Sequence, residues 1–334
     1  MLDIIDAEAD EADEVDEAYE AVAKERMSIF DTLLSNPDIN VNIQDIKGAT
    51  ALHCLQYRFE ECDILISKLI ERGADLSPRN SEKQTPLHLA SRAKDYTSVE
   101  VLLSHGADIS HTDRNGLNSL HWAAYSTDAE TMSRILEAAN TNCLKVAASV
   151  DKGGRNALHH LLGNCPDIEA VRLLVRNGVD LNGRDSDGNT PLAAYLNSSW
   201  AVNDQICMLL LSEGSDTTAV NDHGLALAHL FSKCLPPNIT VLEALMEFGV
   251  NLAATDREGR TVLHHSAING SITETILSFL LDKTTLRCED PDNLGNTPLQ
   301  YAAEEAGKER HGLVRDREGW LRSLEILKGL DKST

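Results

Sequence analysis

One nine-residue phrase recurs through this chain at a nearly constant interval, and it constrains the fold more than any other feature. Clear copies begin with Asp and carry Gly at the fourth position, and most end in Leu-His, as in DRNGLNSLH at 113–121 and DREGRTVLH at 256–264. Successive copies lie 33 to 38 residues apart. Such a period predicts supersecondary units that stack around one continuous core. The copies begin near residues 45, 80, 113, 151, 185, 221, 256 and 292.

A second phrase, Gly-Ala-Asp or a close variant, follows apolar segments that lie between these copies. Gly106 precedes Gly116 by ten residues, and the same interval recurs in four further repeats. A connector of fixed length predicts a fixed geometry, in which the glycine ends a helix as a left-handed cap. The five glycines are Gly73, Gly106, Gly178, Gly214 and Gly249.

The most complete copy of the first phrase continues as Thr-Pro-Leu-His-Leu-Ala from Thr85 to Ala90. Together with the period, this resembles the ankyrin-repeat family, whose unit is a β-turn and two helices. The resemblance covers roughly residues 45–330. It implies an all-α ankyrin-repeat solenoid of eight helix-turn-helix repeats joined by β-hairpin connectors. Thr or Asn is expected to cap each inner helix, and Pro to fit its first turn.

Residues 1–44 are predicted to form an acidic helical N-terminal cap, and residues 45–334 the ankyrin repeat domain. A stack of repeats needs terminal layers with a polar outer face. Val15, Tyr19 and Val22 recur at helical spacing within the predicted cap. We therefore interpret its acidic run as the solvated face of a helix, with a disordered acidic segment that attracts basic proteins as the alternative.

The C-terminal end is predicted to close on a helix over about 319–330, because Trp320, Leu324 and Leu327 form an apolar stripe. The segment from Asp316 to Gly319 copies the hairpin phrase, but no Thr-Pro-Leu-His follows it. We expect it to be a loop. It ends the largest insertion, a charged stretch over 304–318.

The chain is strongly acidic, with a formal net charge of −23. Residues 1–26 hold eleven acidic and two basic side chains, a net charge of −9, which leaves −14 for the other residues. A negative field repels phosphate groups, so nucleic acid and anionic membranes are disfavoured as partners. The charge favours a basic protein or peptide as the partner.

The cysteines and the apolar runs indicate the cellular compartment in which the protein is expected. Seven cysteines are scattered, with neither CxxC nor zinc-finger spacing, which is typical of a reducing environment. The longest apolar runs, such as Ile206 to Leu211, are too short to span a bilayer, and the N-terminus does not resemble a signal peptide. We expect a monomer in the cytoplasm or the nucleus.

The histidines do not indicate a catalytic site or a metal site. The ankyrin resemblance implies that those in the motif brace neighbouring hairpins through hydrogen bonds; they are His53, His88, His121, His159, His229 and His264. The pairs 159–160 and 264–265 could suggest a metal site, but adjacent helix positions diverge in direction. Phosphate-binding loops and nucleophile elbows are missing from the sequence. We predict a protein that is not an enzyme and binds neither metal nor cofactor.

The resemblance also implies where a partner binds, namely on a concave side formed by hairpin tips and inner helices. The candidate protein-binding residues are Tyr57, Arg92, Arg114, Asn115, Trp122, Tyr125, Lys152, Trp200, His223, Arg257 and Asn269. Among them, Arg92, Trp122 and Tyr125 are the predicted hot spot, because these residue types dominate interface energies. The alternative places Trp122 partly in the core.

The sequence thus predicts a non-catalytic protein–protein interaction module, acting as an adaptor, scaffold or regulatory subunit. One alternative is a pocket for a small ligand or a reaction, built by inserted loops. Another is the recognition arm of a larger multidomain protein. A fold fixes its partner poorly, so these alternatives remain open at the level of the sequence.

Overall fold

Short helices follow one another through the whole part of the chain that the structure describes. The computed structural model describes residues 24–55, 62–141, 145–198, 202–234, 237–308 and 314–331, with backbone only for 314–317 and 330–331. Residues 24–35 form helix α1. The later helices alternate between an inner and an outer layer. The chain is therefore the all-α solenoid that its repeats predict.

The inner helices begin at the repeated phrase. They are α2 (Ala51–Cys54), α4 (Pro86–Ala93), α6 (Ser119–Tyr125), α8 (Ala157–Leu162), α10 (Pro191–Leu196), α12 (Leu227–Phe231), α14 (Val262–Asn269) and α16 (Pro298–Gly307). The outer helices alternate with them. They are α3 (Cys62–Glu71), α5 (Tyr96–Ser104), α7 (Ala129–Thr141), α9 (Ile168–Arg176), α11 (Asp204–Ser212), α13 (Ile239–Glu247), α15 (Glu274–Lys283) and α17 (Val314–Asp331).

Side chains of the repeated phrase set where the inner helices begin. Thr85 is the extended N-cap of α4, and Pro86 occupies the first turn, where its missing amide donor costs nothing. Asn118 plays the same part in α6, where its side chain accepts a hydrogen bond from the His121 amide. The predicted capping by Thr and Asn is confirmed at the inner helices other than α12, whose N-cap residue is Ala226.

The core runs continuously between the two helix layers. Each inner helix packs on the next inner helix, and the outer helices from α3 to α13 pack on one another in the same order. Leu120 and Ala123 of α6 are completely buried, as is Val99 of α5. Alanine at the inner positions lets neighbouring helices approach closely, while leucine and valine fill the space between layers. The single core confirms the solenoid.

The connectors between helix pairs are hairpin-shaped turns rather than β-hairpins. Within the described ranges the only β-bridge joins Val220 to Ala226. A typical turn closes with one backbone bond, such as the 2.8 Å bond from the Asp113 amide to the Leu117 carbonyl. The arms are too short to add a strand ladder, so the predicted β-hairpin connectors are corrected to turns.

The C-terminal helix differs from its prediction. Helix α17 begins at Val314, so residues 316–319 are helical and the predicted loop is wrong. The reason is tertiary: α17 packs on α16 and on α14. The Trp320 indole donates a 2.7 Å hydrogen bond to the Ile268 carbonyl, and Gly319 lies against Gly270. That packing extends the helix across a segment that reads locally as a turn.

At the N-terminal end, α1 lies against the first outer helix. Lys68 of α3 forms an ion pair with Asp31 of α1, and Arg72 donates a 3.0 Å hydrogen bond to the Asn36 carbonyl. The apolar positions 15, 19 and 22 of the predicted cap lie outside the described residues. The domain boundary at residue 44 and the count of eight repeats stay predictions.

Candidate protein-binding face

Each hairpin tip is fixed by the first side chain of the repeated phrase. In the third hairpin, Asp113 Oδ1 accepts hydrogen bonds from the amides of Asn115 at 2.8 Å and Leu117 at 3.0 Å. All copies of the phrase repeat this pattern. The residues that accept in this way are Asp45, Asn80, Asp113, Asp151, Asp185, Asn221, Asp256 and Asp292. The tip residues that follow are thereby held outward in a repeated conformation.

Neighbouring tips are joined into one row by backbone hydrogen bonds. The Arg114 amide donates to the Glu82 carbonyl at 2.8 Å, and the Lys152 amide donates to the Asn115 carbonyl at 2.9 Å. Similar bonds run from Ser81 to Lys47 and from Ser186 to Gly153. The tips and the exposed residues of the inner helices form what we call the inner face.

The motif histidines brace adjacent repeats, as the sequence resemblance implies. Nδ1 of His88 accepts from the Thr85 amide at 3.1 Å, so the neutral ring carries its proton on Nε2. Nε2 then donates to the Leu117 carbonyl of the next hairpin at 3.1 Å. Burial lowers the pKa of His88 to about 4, which keeps the ring neutral at pH 7. Equivalent bonds reach the next repeat from His53, His121, His159, His229 and His264.

In four of the repeats a second ring binds the hairpin aspartate, a feature that was not predicted from the sequence. His160 Nε2 lies 2.9 Å from Asp151 Oδ2, and the same bond joins His265 to Asp256 at 2.8 Å. Other repeats use different rings in the same position. They pair Trp122 with Asp113 at 3.3 Å and Tyr301 with Asp292 at 2.6 Å. The sequence feature that could have predicted this bond is a polar ring nine residues after the aspartate.

These aspartates are buried anions with several donors. Burial alone would raise the pKa of the Asp151 carboxyl, but hydrogen bonds from His160 and the Arg155 amide, with the Arg155 charge, lower it. The Arg155 guanidinium lies 3.0 Å from the same oxygen. Because His159 and His160 bind different repeats, the adjacent pair does not converge on one point. The described residues also contain no cluster of three or more metal-ligating side chains.

Three predicted hot-spot residues meet on the inner face. The guanidinium carbon of Arg92 lies 5.1 Å from the centroid of the Trp122 ring, within the range of a cation–π contact. The Trp122 and Tyr125 rings meet edge to face, with centroids 5.7 Å apart. Arg92 and Tyr125 are exposed, whereas Trp122 is half-buried. Trp122 is therefore partly in the core, its nitrogen binds Asp113 and its ring supports Arg92, and its role in binding a partner stays a prediction.

The other predicted contact residues fall into two groups. Asn269 is half-buried, and its side chain donates to Ser232 Oγ at 2.9 Å, which makes it a link between α12 and α14. Tyr57 and Trp200 lie outside the described residues. The remaining candidates are exposed at hairpin tips, namely Arg114, Asn115, Lys152, His223 and Arg257. Lys233, which was not among the predicted contact residues, lies half-buried just after α12, and its ammonium donates to Asn197 Oδ1 at 2.7 Å.

A separate groove of about 910 Å³ lies between α15 and α17, away from the hairpin tips. Leu277, Leu281 and Ile326 supply its apolar lining, with Arg322 and Glu325 among its polar residues. It arises because α17 packs on α14 and α16, which leaves the outer layer open beside α15.

Across the described ranges, no helix is both long and apolar enough to cross a membrane.

Comparison with known families agrees with this geometry. The family model described as ankyrin repeats (3 copies) matches residues 19–113, 120–221 and 229–312, and a second, ankyrin repeats (many copies), matches 92–137. The chain belongs to the ankyrin-repeat family. The first match begins inside the predicted N-terminal cap. Ankyrin repeats generally mediate protein–protein interaction, and neither match is to a catalytic family.

Curated ankyrin-repeat relatives are longer than this chain. It is 29% identical to human transient receptor potential cation channel subfamily A member 1 over 267 residues, 75% of this chain and 22% of that protein. Identity to putative ankyrin repeat protein L371 of Acanthamoeba polyphaga mimivirus is 25%, over 80% of this chain and 34% of the relative. The chain is 30% identical to the nuclear factor NF-kappa-B p105 subunit of Gallus gallus, over 45% of this chain and 16% of that protein. The chain thus spans about a third or less of each relative.

Proposed function

We propose that this ankyrin-repeat chain is a non-catalytic binding module, an adaptor, scaffold or regulatory subunit, that holds a protein segment on its concave inner face. The cluster of exposed Arg92 and Tyr125 with half-buried Trp122 carries the proposal. It joins α4 to α6 and offers a cation and two aromatic rings at one place, the residue types that dominate interface energies.

The rigidity of the inner face supports the same proposal. Each tip is fixed by the Asp or Asn side chain that begins its phrase, neighbouring tips are hydrogen-bonded to one another, and the motif histidines attach six of the inner helices to the following repeat. A preorganised surface loses little conformational entropy when a partner binds. Exposed Arg114, Asn115, Lys152, His223 and Arg257 would extend the contact along the tips, and we keep Tyr57, Trp200 and Asn269 as further candidates.

The partner is proposed to be a protein or peptide with basic residues. The net charge of −23 gives long-range attraction to positively charged partners and repels nucleic acid and anionic membranes. We further propose a monomer that acts in the cytoplasm or nucleus. The length of the relatives favours one alternative, in which this module is the recognition arm of a larger protein.

Affinity capture from the native cell, followed by mass spectrometry and binding of the purified partner, tests the proposal. The variant Arg92→Glu/Tyr125→Ala is expected to weaken binding by about a hundredfold, since it removes two central contacts. The matched control is Arg176→Glu/Tyr96→Ala on outer helices, where Tyr96 is 43% exposed against 48% for Tyr125. Equal affinity of both folded variants for the partner would refute the proposed face.

A further inference from the structure

Exposed charges are distributed unevenly along the row of hairpin tips. The first four tips carry mostly cations and the next two carry anions, and all these side chains are exposed. In chain order the charged tip residues are Lys47, Glu82, Arg114, Lys152, Asp187 and Asp222, followed at the seventh tip by Arg257 and Glu258 together. Two neighbouring cationic tips, the third and the fourth, are therefore followed directly by two anionic tips, the fifth and the sixth.

The cations of the third and fourth tips form one surface with the hot spot. Arg114 lies 3.4 Å from Glu82, an exposed pair that is weak in water. Neither Lys152 nor Arg92 has an ion-pair partner among the described residues. The bond from the Lys152 amide to the Asn115 carbonyl holds Lys152 beside the Arg114 tip. A positive site thus spans α4, α6 and the fourth tip.

The two anions are held next to each other in the same way. The Asp222 amide donates to the Asp187 carbonyl at 2.9 Å. The Asp222 carboxylate lies over the preceding tip, where a Cβ on Gly188 would come within 2.6 Å of its Oδ1. Neither carboxylate forms an ion pair with a base in the part of the chain that the structure describes. Two neighbouring carboxylates without a neutralising base attract cations.

The order of these charges is fixed by the backbone. The Ser186 amide donates to the Gly153 carbonyl at 2.7 Å, so the fifth tip sits directly beside the fourth. The cationic and anionic sites are therefore neighbours on one rigid row. A segment lying along the row meets one sign of charge first and then the other.

We propose that the segment bound on this face is charge-asymmetric. Its acidic residues contact Arg92, Arg114 and Lys152, and its basic residues contact Asp187 and Asp222. This inference rests on the proposed binding face and adds the chemistry and direction of the partner. Reversing the segment would place like charges together at both sites, which disfavours the opposite direction. The basic character expected of the partner is thereby located at the fifth and sixth tips.

A synthetic peptide serves as the probe, with a glutamate block, a Gly-Ser spacer, a lysine block and a photo-crosslinker at the glutamate end. On the full chain, the crosslink is expected within residues 113–117 and 151–155, at the third and fourth tips. Binding should weaken as salt rises, because exposed charges are screened. A crosslink spread evenly to residues 185–189 and 221–225 would overturn the proposed direction.

Charge reversal gives the sharper comparison. Arg114→Glu/Lys152→Glu is expected to weaken probe binding about tenfold, since two attractions become repulsions. Arg176→Glu/Lys283→Glu makes the same change in net charge on exposed outer-helix positions and is expected to stay within about twofold. Combining the first pair with Asp187→Lys/Asp222→Lys should move the crosslink to the fifth and sixth tips. An unmoved crosslink would contradict the inference.

The two proposals fail in different ways. If binding of the native partner requires Arg92 and Tyr125 but binding of the probe is unchanged by every charge reversal, the proposed charge asymmetry is wrong and the proposed binding face stands. If Arg92→Glu/Tyr125→Ala leaves native binding unchanged, the binding face itself is wrong.

Discussion

Arg92 of α4 lies over the ring of Trp122 of α6, with 5.1 Å between the guanidinium carbon and the ring centroid. The two residues are thirty positions apart and belong to successive helix pairs. Their contact joins those pairs at the surface, in addition to the Ser126 hydroxyl that donates to the Arg92 carbonyl at 2.8 Å. The predicted hot spot is therefore one physical unit.

This contact predicts a measurable coupling between Arg92 and Trp122. In a double-mutant cycle with Arg92→Gln and Trp122→Leu, we expect a coupling of about 0.5–1 kcal/mol in the free energy of unfolding, the range of an exposed cation–π pair. Urea denaturation followed by circular dichroism measures it. A control cycle with Arg176→Gln and Trp122→Leu should be additive. Additivity in both cycles would show that the Arg92 contact contributes nothing.

The buried histidines predict that acid destabilises the fold. Burial lowers the pKa of His88, His121 and His265 to about 4 from an ordinary value of 6.5. The unfolded chain therefore binds protons at a higher pH than the native chain. Stability is fully present above pH 6.5 and falls as the pH drops from 6.5 towards 4. At pH 5 each of these histidines lowers the free energy of unfolding by about 2 kcal/mol.

Urea denaturation at a series of pH values from 7.5 to 5 tests this sign. Replacing His88 with Asn should make the pH profile shallower, because one proton-linked group is removed, whereas Asn115→Ala, which removes no titratable group from an exposed tip, should leave the slope unchanged. A flat profile for the unmodified chain would contradict the expected linkage.

The ring-bound aspartates predict a large cost for removing one carboxylate. Asp256 accepts from two amides, from His265 at 2.8 Å and from the Arg260 guanidinium at 2.8 Å. Asp256→Ala should lower the free energy of unfolding by about 3 kcal/mol, because these buried donors lose their acceptor. Asp222→Ala at an exposed tip is expected to change it by less than about 0.5 kcal/mol. Thermal unfolding compares them, and equal losses would argue against the network.

Two glycines with the same backbone conformation predict different costs. Gly154 has φ +74°, and a Cβ there would lie 2.8 Å from the Arg184 carbonyl oxygen of the next hairpin. Gly178 has φ +76° with no atom within 4 Å of that position. Both alanine variants are strained by the positive φ, at about 1 kcal/mol. Gly154→Ala should lose about 2 kcal/mol more, because its clash is with backbone.

Denaturation of the two variants side by side separates strain from crowding. The positive φ is common to both, so only the approach of the next hairpin differs between them. If Gly178→Ala lost as much stability as Gly154→Ala, the close packing of neighbouring hairpins would not be the cause.

Much of the fold could be predicted from local sequence, because each repeat places similar residues where its helices begin and end. Thr85 or Asn118 starts a helix, and Gly106 at φ +86° ends one, whatever lies beside it. The extent of α17 could not be predicted in this way. The segment from Asp316 to Gly319 has the sequence of a turn, yet the contacts of Trp320 with Ile268 and of Gly319 with Gly270, at the C-terminal end of α14, hold it in a helix.

The candidate site likewise has features that the sequence predicts and features that only the packing decides. Which residue types stand at the tips follows from the sequence, since the repeat assigns each position to a tip or a helix. Tertiary structure decided that Arg92 lies on Trp122, that His160 and Trp122 bind a hairpin aspartate, and that the cationic fourth tip lies directly beside the anionic fifth. These relations depend on how the helices and hairpins pack, within one repeat or between two. The sequence by itself determined the repeating unit, and stacking of the units decided which side chains meet.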